Sequence, residues 1–215
     1  MKERNYTNEQ LSKMLYDSLK SRIPMDPISD IDEEVTVEDA YDIQLRNVER
    51  ALNDGEIITG KKVGLTSKGM QELLGITEPD YGHLYASTEV ANDGTVLMSS
   101  VIRPKVEGEI AFVLKESLIG PGITVDEVYR CTDYVCGAIE IVDSRVRDWK
   151  IKLVDTIADN GSSSLYILGD KKMHPNELSL VDEKMTLYNN GEIVNEGTGA
   201  EVLGNPAISV AWLAN

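Results

Sequence analysis

Val106-Glu107-Gly108-Glu109-Ile110-Ala111-Phe112-Val113-Leu114 reads as a strand with two acids set into it. Side chains alternate across a strand with a period of two, so Glu107 and Glu109 share one face while Ile110 and Phe112 point to the other. Like charges side by side in a sheet repel, and a divalent cation is the simplest compensator. Gly108 between them leaves room for a ligand or another chain segment to approach. An exposed strand face with two solvated glutamates is the competing reading. Further on, Val135 to Val142 is a second strong strand, and Glu140 interrupts its apolar run Gly137-Ala138-Ile139-Glu140-Ile141-Val142. An acid there is costly unless it is paired or ligating. Three carboxylates on strands of one domain offer oxygen ligands for Mg2+ or Mn2+, with positions left for water and substrate.

The surroundings of these strands define the fold class. A helix opened by Thr124 and Glu127 as a capping box joins them. After Gly60 the chain runs in short stretches punctuated by turns. Lys62 to Leu65 is a strand, and Ser67 to Leu74 a helix stopped by Gly75. Tight turns fall at Asp93-Gly94 and Asn190-Gly191, with strands at Thr186 to Tyr188 and Glu192 to Val194. Asn205-Pro206 sets a cap and an N1 proline before a helix through Trp212. The chain before Gly60 is helical. Thr7 and Gln10 form a capping box ahead of Leu11, Met14, Leu15 and Leu19, and this helix ends before Pro24. Thr36 caps a second helix with an apolar stripe at Ala40, Ile43, Val48 and Leu52, closed by Asp54-Gly55. The irregular order of elements predicts an α+β fold rather than a doubly wound sheet. Residues 1–57 read as a helical arm, and residues 58–215 as a β-rich domain.

A chain of 215 residues suits one compact domain with a helical extension. With 21 Lys+Arg against 37 Asp+Glu the formal charge is -16, which repels a phosphate backbone, so no nucleic acid is expected as partner. No apolar run approaches the roughly 20 residues that span a bilayer, so no membrane is expected either. Met1 to Leu19 lacks the continuous apolar stretch of a secretory signal, which predicts a cytoplasmic protein. Cys131 and Cys136 read as two core thiols, since their spacing makes a poor zinc site and a poor disulfide framework. The acid-rich stretch Asp26 to Asp39 lacks the alternating ligands and central Gly of a calcium loop and reads as solvated. His83 and His174 read as surface or loop residues, because an all-oxygen site requires no His.

Five motifs in order carry a resemblance. They are Gly60-Lys61-Lys62-Val63-Gly64-Leu65-Thr66-Ser67-Lys68, Pro79-Asp80-Tyr81-Gly82, Glu107-Gly108-Glu109-Ile110-Ala111-Phe112, Glu140-Ile141-Val142-Asp143-Ser144-Arg145 with Asp148-Trp149-Lys150, and Asp155-Thr156 with Ala158-Asp159-Asn160. The chain resembles the 2-oxo-4-pentenoate hydratases and 4-oxalocrotonate decarboxylases of the fumarylacetoacetate hydrolase superfamily. The resemblance implies a mixed β-roll with an N-terminal helical arm, and homo-oligomers. By it Glu107, Glu109 and Glu140 match the Mg2+ ligands, Lys62 the active-site lysine, and Asp80 the acid working beside it. Leu65 and Ser162 are assigned to the substrate, with Arg145 a candidate for a second substrate carboxylate alongside Arg103 and Lys105. Gly161 stands where Ala is usual. Relatives continue beyond Trp212-Leu213-Ala214-Asn215 with further strands, so a truncated roll with exposed apolar surface is expected.

The implied chemistry uses Mg2+, with Mn2+ as an alternative, to chelate a small 2-oxo acid through a carboxylate and the 2-oxo oxygen. In a hydratase, 2-hydroxypenta-2,4-dienoate is ketonised and water adds at C4, giving 4-hydroxy-2-oxopentanoate in aromatic meta-cleavage catabolism. Lys62 and Asp80 handle the protons. A decarboxylase uses the same metal, so the ligands do not separate the two activities. A third reading is a non-catalytic partner subunit associated with a related hydratase or decarboxylase. Strand alternation places Lys61 and Lys62 on opposite faces, and Lys61 is expected to be solvated.

Overall fold

A computed structural model describes residues 4–215, the side chains of 73 and 74 excepted. Lys2 and Glu3, part of the signal-sequence reading, lie outside the described residues. In chain order the elements are α1 (Asn8–Ser21), α2 (Ile28–Ile31), α3 (Val37–Asn53), β1 (Ile58–Gly64), α4 (Lys68–Leu74), β2 (Asp80–Tyr85), β3 (Glu89–Val90) and β4 (Lys105–Leu114). There follow α5 (Val125–Cys131), β5 (Thr132–Val142), α6 (Leu153–Ala158), β6 (Ser163–Leu168), β7 (Lys184–Asn189), β8 (Glu192–Thr198) and α7 (Pro206–Ala214). Mixed helix and sheet in irregular order is the α+β composition the sequence predicts. The strands form pairs β1-β2 and β7-β8 and a four-stranded sheet in the order β3-β6-β5-β4.

The chain divides into two compact units, one of residues 1–64, 80–107 and 140–166, the other of 65–79, 108–139 and 167–215. In the first, α1, α3 and α6 bury Leu11, Leu15, Ala40, Ile43, Ile157 and Ala158 in one core with Ile28 and Val35. Each fully buried Leu, Ile or Val side chain contributes about 1.5–3 kcal/mol. Thr7 with Gln10 and Thr36 with Asp39 form reciprocal capping boxes that satisfy the first amides of α1 and α3. The buried row of α1 runs through Leu11, Leu15 and Ser18, leaving Leu19 on the exposed side. Ser18 is accommodated because its hydroxyl donates to the carbonyls of Ile23 and Arg145. Leu52 at the end of α3 is likewise exposed.

The acid-rich stretch before α3 is not wholly solvated. Asp32 is 2% exposed and accepts from Arg4 Nε and the Tyr6 amide, so a charge that composition assigns to solvent is held by partners distant in sequence.

In the second unit, α5 and α7 meet around Val128, Ala207 and Ala211, with Phe112, Leu118 and Ile123 packed against them. Asn190 and Gly191 both adopt positive φ, the turn geometry that suits a two-residue hairpin between β7 and β8. Asp93 also has positive φ, but its turn leads to the short helical turn at residues 98–100 rather than a return strand, because β3 pairs with β6 instead. Cys131 and Cys136 are buried free thiols.

Candidate active site and metal centre

The β1-β2 pair is antiparallel, with Lys62 opposite Gly82 and Gly64 opposite Asp80. Alternation therefore puts Lys62, Gly64, Asp80 and Gly82 on one face, and Lys61, Val63, Tyr81 and His83 on the other. On the first face Lys62 Nζ donates to Gly161 O at 2.9 Å and lies 3.3 Å from Glu140 Oε2. Asp80 is 1% exposed; its Oδ2 accepts from Thr156 Oγ1 at 3.1 Å, while Oδ1 has no hydrogen-bond partner among the described residues. Burial raises the Asp80 pKa, and the neighbouring Lys62 charge opposes that rise.

The three glutamates come together. One carboxylate oxygen from each of Glu107, Glu109 and Glu140 lies within 4.8 Å of the others, on the adjacent strands β4 and β5. Glu107 and Glu109 are exposed, whereas Glu140 is buried. Burial raises the Glu140 pKa, Lys62 opposes that shift, and Glu107 adds to it. Glu140 Oε1 is buried without a hydrogen-bond partner among the described residues, an arrangement that is expensive for a carboxylate. An all-oxygen set with one orphaned oxygen fits a hard divalent cation.

The other sequence-predicted residues sit as follows. Leu65, directly after β1, takes a left-handed conformation with φ 57°, and its carbonyl accepts from Gln71 Nε2. Ser162 is buried and its hydroxyl donates to Asp159 Oδ2 at 3.3 Å. Arg145 is buried with its guanidinium turned inward. Its Nε pairs with Asp159 Oδ1, Nη2 donates to Asp159 O, and Nη1 donates to Asp143 O and Ser163 O. A guanidinium so engaged braces the turn at Asp159; the sequence offered it as a candidate for a second substrate carboxylate.

One expectation is corrected on the opposite face of the hairpin. His83 is no surface residue: it is 5% exposed on β2, where its ring and that of Tyr81 make a T-shaped contact. Lys61 is exposed, as alternation predicts, with its Nζ 2.8 Å from His83 Nε2 and over the Tyr81 ring, which stacks in turn on Tyr41 of α3. The packing of α3 behind the hairpin gives this face a cover that strand alternation alone does not reveal. Burial, aided by the Lys61 charge, lowers the His83 pKa to about 4, and burial lowers that of Lys61. His174 lies in a loop, as expected, and its Nδ1 accepts from the Asn176 amide.

Sequence reading assigned no role to Thr156 or Gly82. Their signals were the hydroxyl beside Asp155 and a glycine inside a strand, which often marks close backbone approach.

No family profile matches this chain. It is 44% identical over 208 residues to a 2-hydroxypent-2,4-dienoate hydratase of Pseudomonas putida, covering 96% of this chain and 93% of that protein. It is 42% identical over 209 residues to a 2-hydroxyhexa-2,4-dienoate hydratase of Comamonas testosteroni, covering 96% and 79%. Among solved structures, 4-oxalocrotonate decarboxylase from Pseudomonas putida G7, complexed with magnesium and adipate, superposes with a TM-score of 0.93 at 35% identity, covering 99% of this chain and 82% of that one. A fumarylpyruvate hydrolase from Pseudomonas aeruginosa, with a TM-score of 0.55 at 13% identity, shares the fold over 72% of this chain and 70% of its own. The fold is therefore of the fumarylacetoacetate hydrolase type, and the protein is an enzyme of the lyase class. Within that class the chain belongs to the 2-hydroxypenta-2,4-dienoate (2-keto-4-pentenoate) hydratase family, to which the decarboxylase is a structural neighbour.

Proposed function

We propose that this protein is a Mg2+-dependent hydratase that converts 2-hydroxypenta-2,4-dienoate to 4-hydroxy-2-oxopentanoate in aromatic meta-cleavage catabolism. The observation that carries this reading is the convergence of Glu107, Glu109 and Glu140 beside a lysine that touches Glu140. Those three carboxylates would hold Mg2+, with Mn2+ the closest substitute. When bound, the metal supplies a Lewis-acid anchor for the carboxylate and 2-oxo oxygen of the substrate, where negative charge develops.

Lys62 and Asp80 are the proton-handling pair. Lys62 Nζ is held from two sides, by Gly161 O and Glu140 Oε2, which fixes its position for transfer. Asp80, raised in pKa by burial, keeps Oδ1 available on the same face of the hairpin. Leu65 and Ser162 are proposed to contact the substrate. Arg145 acts through the Asp159 turn that carries Ser162, since its own donors are engaged.

The engagement of the candidate cations favours hydration over decarboxylation. A substrate with a second carboxylate needs a further positive group, yet Arg145 is committed, Arg103 pairs with Asp148 and Lys105 lies 4.0 Å over the Trp149 ring. In this reading residues 1–57 are an N-terminal helical arm on a β-roll domain of residues 58–215. The enzyme works as a homo-oligomer in the cytoplasm; no helix among the described residues is long and apolar enough to cross a membrane.

The test offers purified protein with Mg2+ both 2-hydroxypenta-2,4-dienoate and 4-oxalocrotonate. Loss of diene absorbance with the first, abolished by a chelator and restored by Mg2+, is expected. Release of CO2 from the second with no turnover of the first would replace this reading by the decarboxylase, and Mg2+ binding without turnover of either would replace it by a partner subunit.

A further inference from the structure

Gly82 lies opposite Lys62 in the β1-β2 register, and a Cβ there would sit 2.2 Å from Asn160 O. The backbone pressed against it is a left-handed turn, with φ of 59° at Asn160, 63° at Gly161 and 49° at Ser162. Such a run is unfavourable for residues with side chains unless the surroundings hold it. Asn160 supplies the hold. Its Oδ1 accepts from the His83 amide at 2.8 Å and its Nδ2 donates to His83 O at 2.9 Å. The side-chain amide thus completes both backbone groups of one β2 residue, as a neighbouring strand would. The next carbonyl along the turn, Gly161 O, is the acceptor of Lys62 Nζ, and a Cβ at Gly161 would meet Lys62 Cδ at 3.0 Å.

We infer that Asn160 is a positioning residue for Lys62: by clamping the left-handed turn onto β2 at His83, it sets where the Gly161 carbonyl stands and so where the lysine amine is held. The inference rests on the reading of Lys62 as the proton-handling residue. Asn is suited to the task on two counts, because it tolerates positive φ better than other residues with side chains and carries one donor and one acceptor in a plane. Asp lacks the donor, and Gln places the amide one methylene too far.

The experiment compares Asn160→Gly, Lys62→Met and the double variant with the wild-type enzyme loaded with Mg2+. Glycine keeps the left-handed backbone and removes only the clamp. For Asn160→Gly, kcat falls about 10- to 100-fold, the scale of a misplaced catalytic group. KM and Mg2+ affinity by calorimetric titration stay within about threefold, because the three carboxylates that would hold the metal are unchanged and the amine still stands beside Glu140. In the Lys62→Met background the same change costs no more than about twofold, since an effect acting through Lys62 vanishes with it. An Asn160→Gly enzyme with near-wild-type kcat, or one whose full loss reappears on top of Lys62→Met, overturns the positioning role and leaves the Lys62 reading intact. A Lys62→Met enzyme with normal turnover overturns both. Should Asn160→Gly fail to fold, Asn160→Asp carries the same comparison, as it keeps the acceptor for the His83 amide and loses the donor.

Discussion

Methionine reproduces the lysine stem as far as Cε and lacks the amine with its protons and charge, so Lys62→Met isolates what the amine contributes at Gly161 O and Glu140 Oε2. If Lys62 moves a proton in the transition state, turnover falls by about two to four orders of magnitude. Mg2+ binding survives, because an ammonium is not a ligand and its removal takes a competing cation away from Glu140. Steady-state kinetics beside a Mg2+ titration checks both halves. Lys61→Met is the internal control. Its neighbours are His83 and the Tyr81 ring, so the expected loss is about 1 kcal/mol of stability, the net worth of a hydrogen bond, with turnover little changed. A Lys61→Met enzyme that loses turnover as Lys62→Met does would break the assignment of faces on β1. That assignment was half legible in the sequence. Alternation separated the two lysines, but which face is covered depends on Tyr41 of α3 stacking on Tyr81, a contact between residues 40 positions apart.

At the level of elements, the features written locally were readable and those completed at long range were not. Thr7 with Gln10, Thr36 with Asp39, and Thr124 with Glu127 each close a capping box within four residues, and all three open helices at the positions their spacing implies. The Asn190-Gly191 hairpin is local in the same sense. Asp93-Gly94 carries the same kind of signal and makes no hairpin, because the partner of β3 is β6, far along the chain. Glu107, Glu109 and Glu140 lie between these extremes. Period two put the first pair on one face, while the arrival of Glu140 needed β5 to lie beside β4, which motif order implied and local pattern did not. The weight of local capping is measurable at α3. That helix carries Ala40, Ile43 and Gln44 into the core and Tyr41 behind the hairpin. Thr36→Ala removes the half of the box in which the Thr36 hydroxyl accepts from the Asp39 amide, leaving the residue-36 amide to donate to Asp39 Oδ2, and is expected to cost about 1 kcal/mol. Urea unfolding should show a lower midpoint at unchanged slope; no shift in the midpoint would mean that tertiary packing alone fixes the start of α3.

Across the whole molecule, an excess of acids gives -16 formal charges, yet the pH dependence of folding is set by the few groups that are buried rather than by the many that are solvated. Asp80 and Glu140 have raised pKa values, so each binds a proton more readily in the folded state, and their contribution to stability falls as pH rises through that interval. His83 works in the other direction. Its pKa stands near 4 in the folded protein against an ordinary 6.5, because burial and the Lys61 charge both disfavour the imidazolium. Between those values the unfolded chain takes up a proton that the folded chain refuses, so stability rises with pH across the window. The His83 contribution is complete above about pH 6.5 and is lost as pH falls toward 4. Comparing wild type with His83→Gln removes the opposing carboxylates from consideration, since both proteins carry them. The difference in unfolding free energy between the two should move in favour of the variant by up to about 3 kcal/mol on going from pH 7 to pH 4. The shift should be the same with and without Mg2+, because His83 occupies the face of β2 opposite Asp80. A difference that does not vary with pH would mean that the imidazole keeps its ordinary affinity for protons, and that the pairing with Lys61 does not hold it neutral.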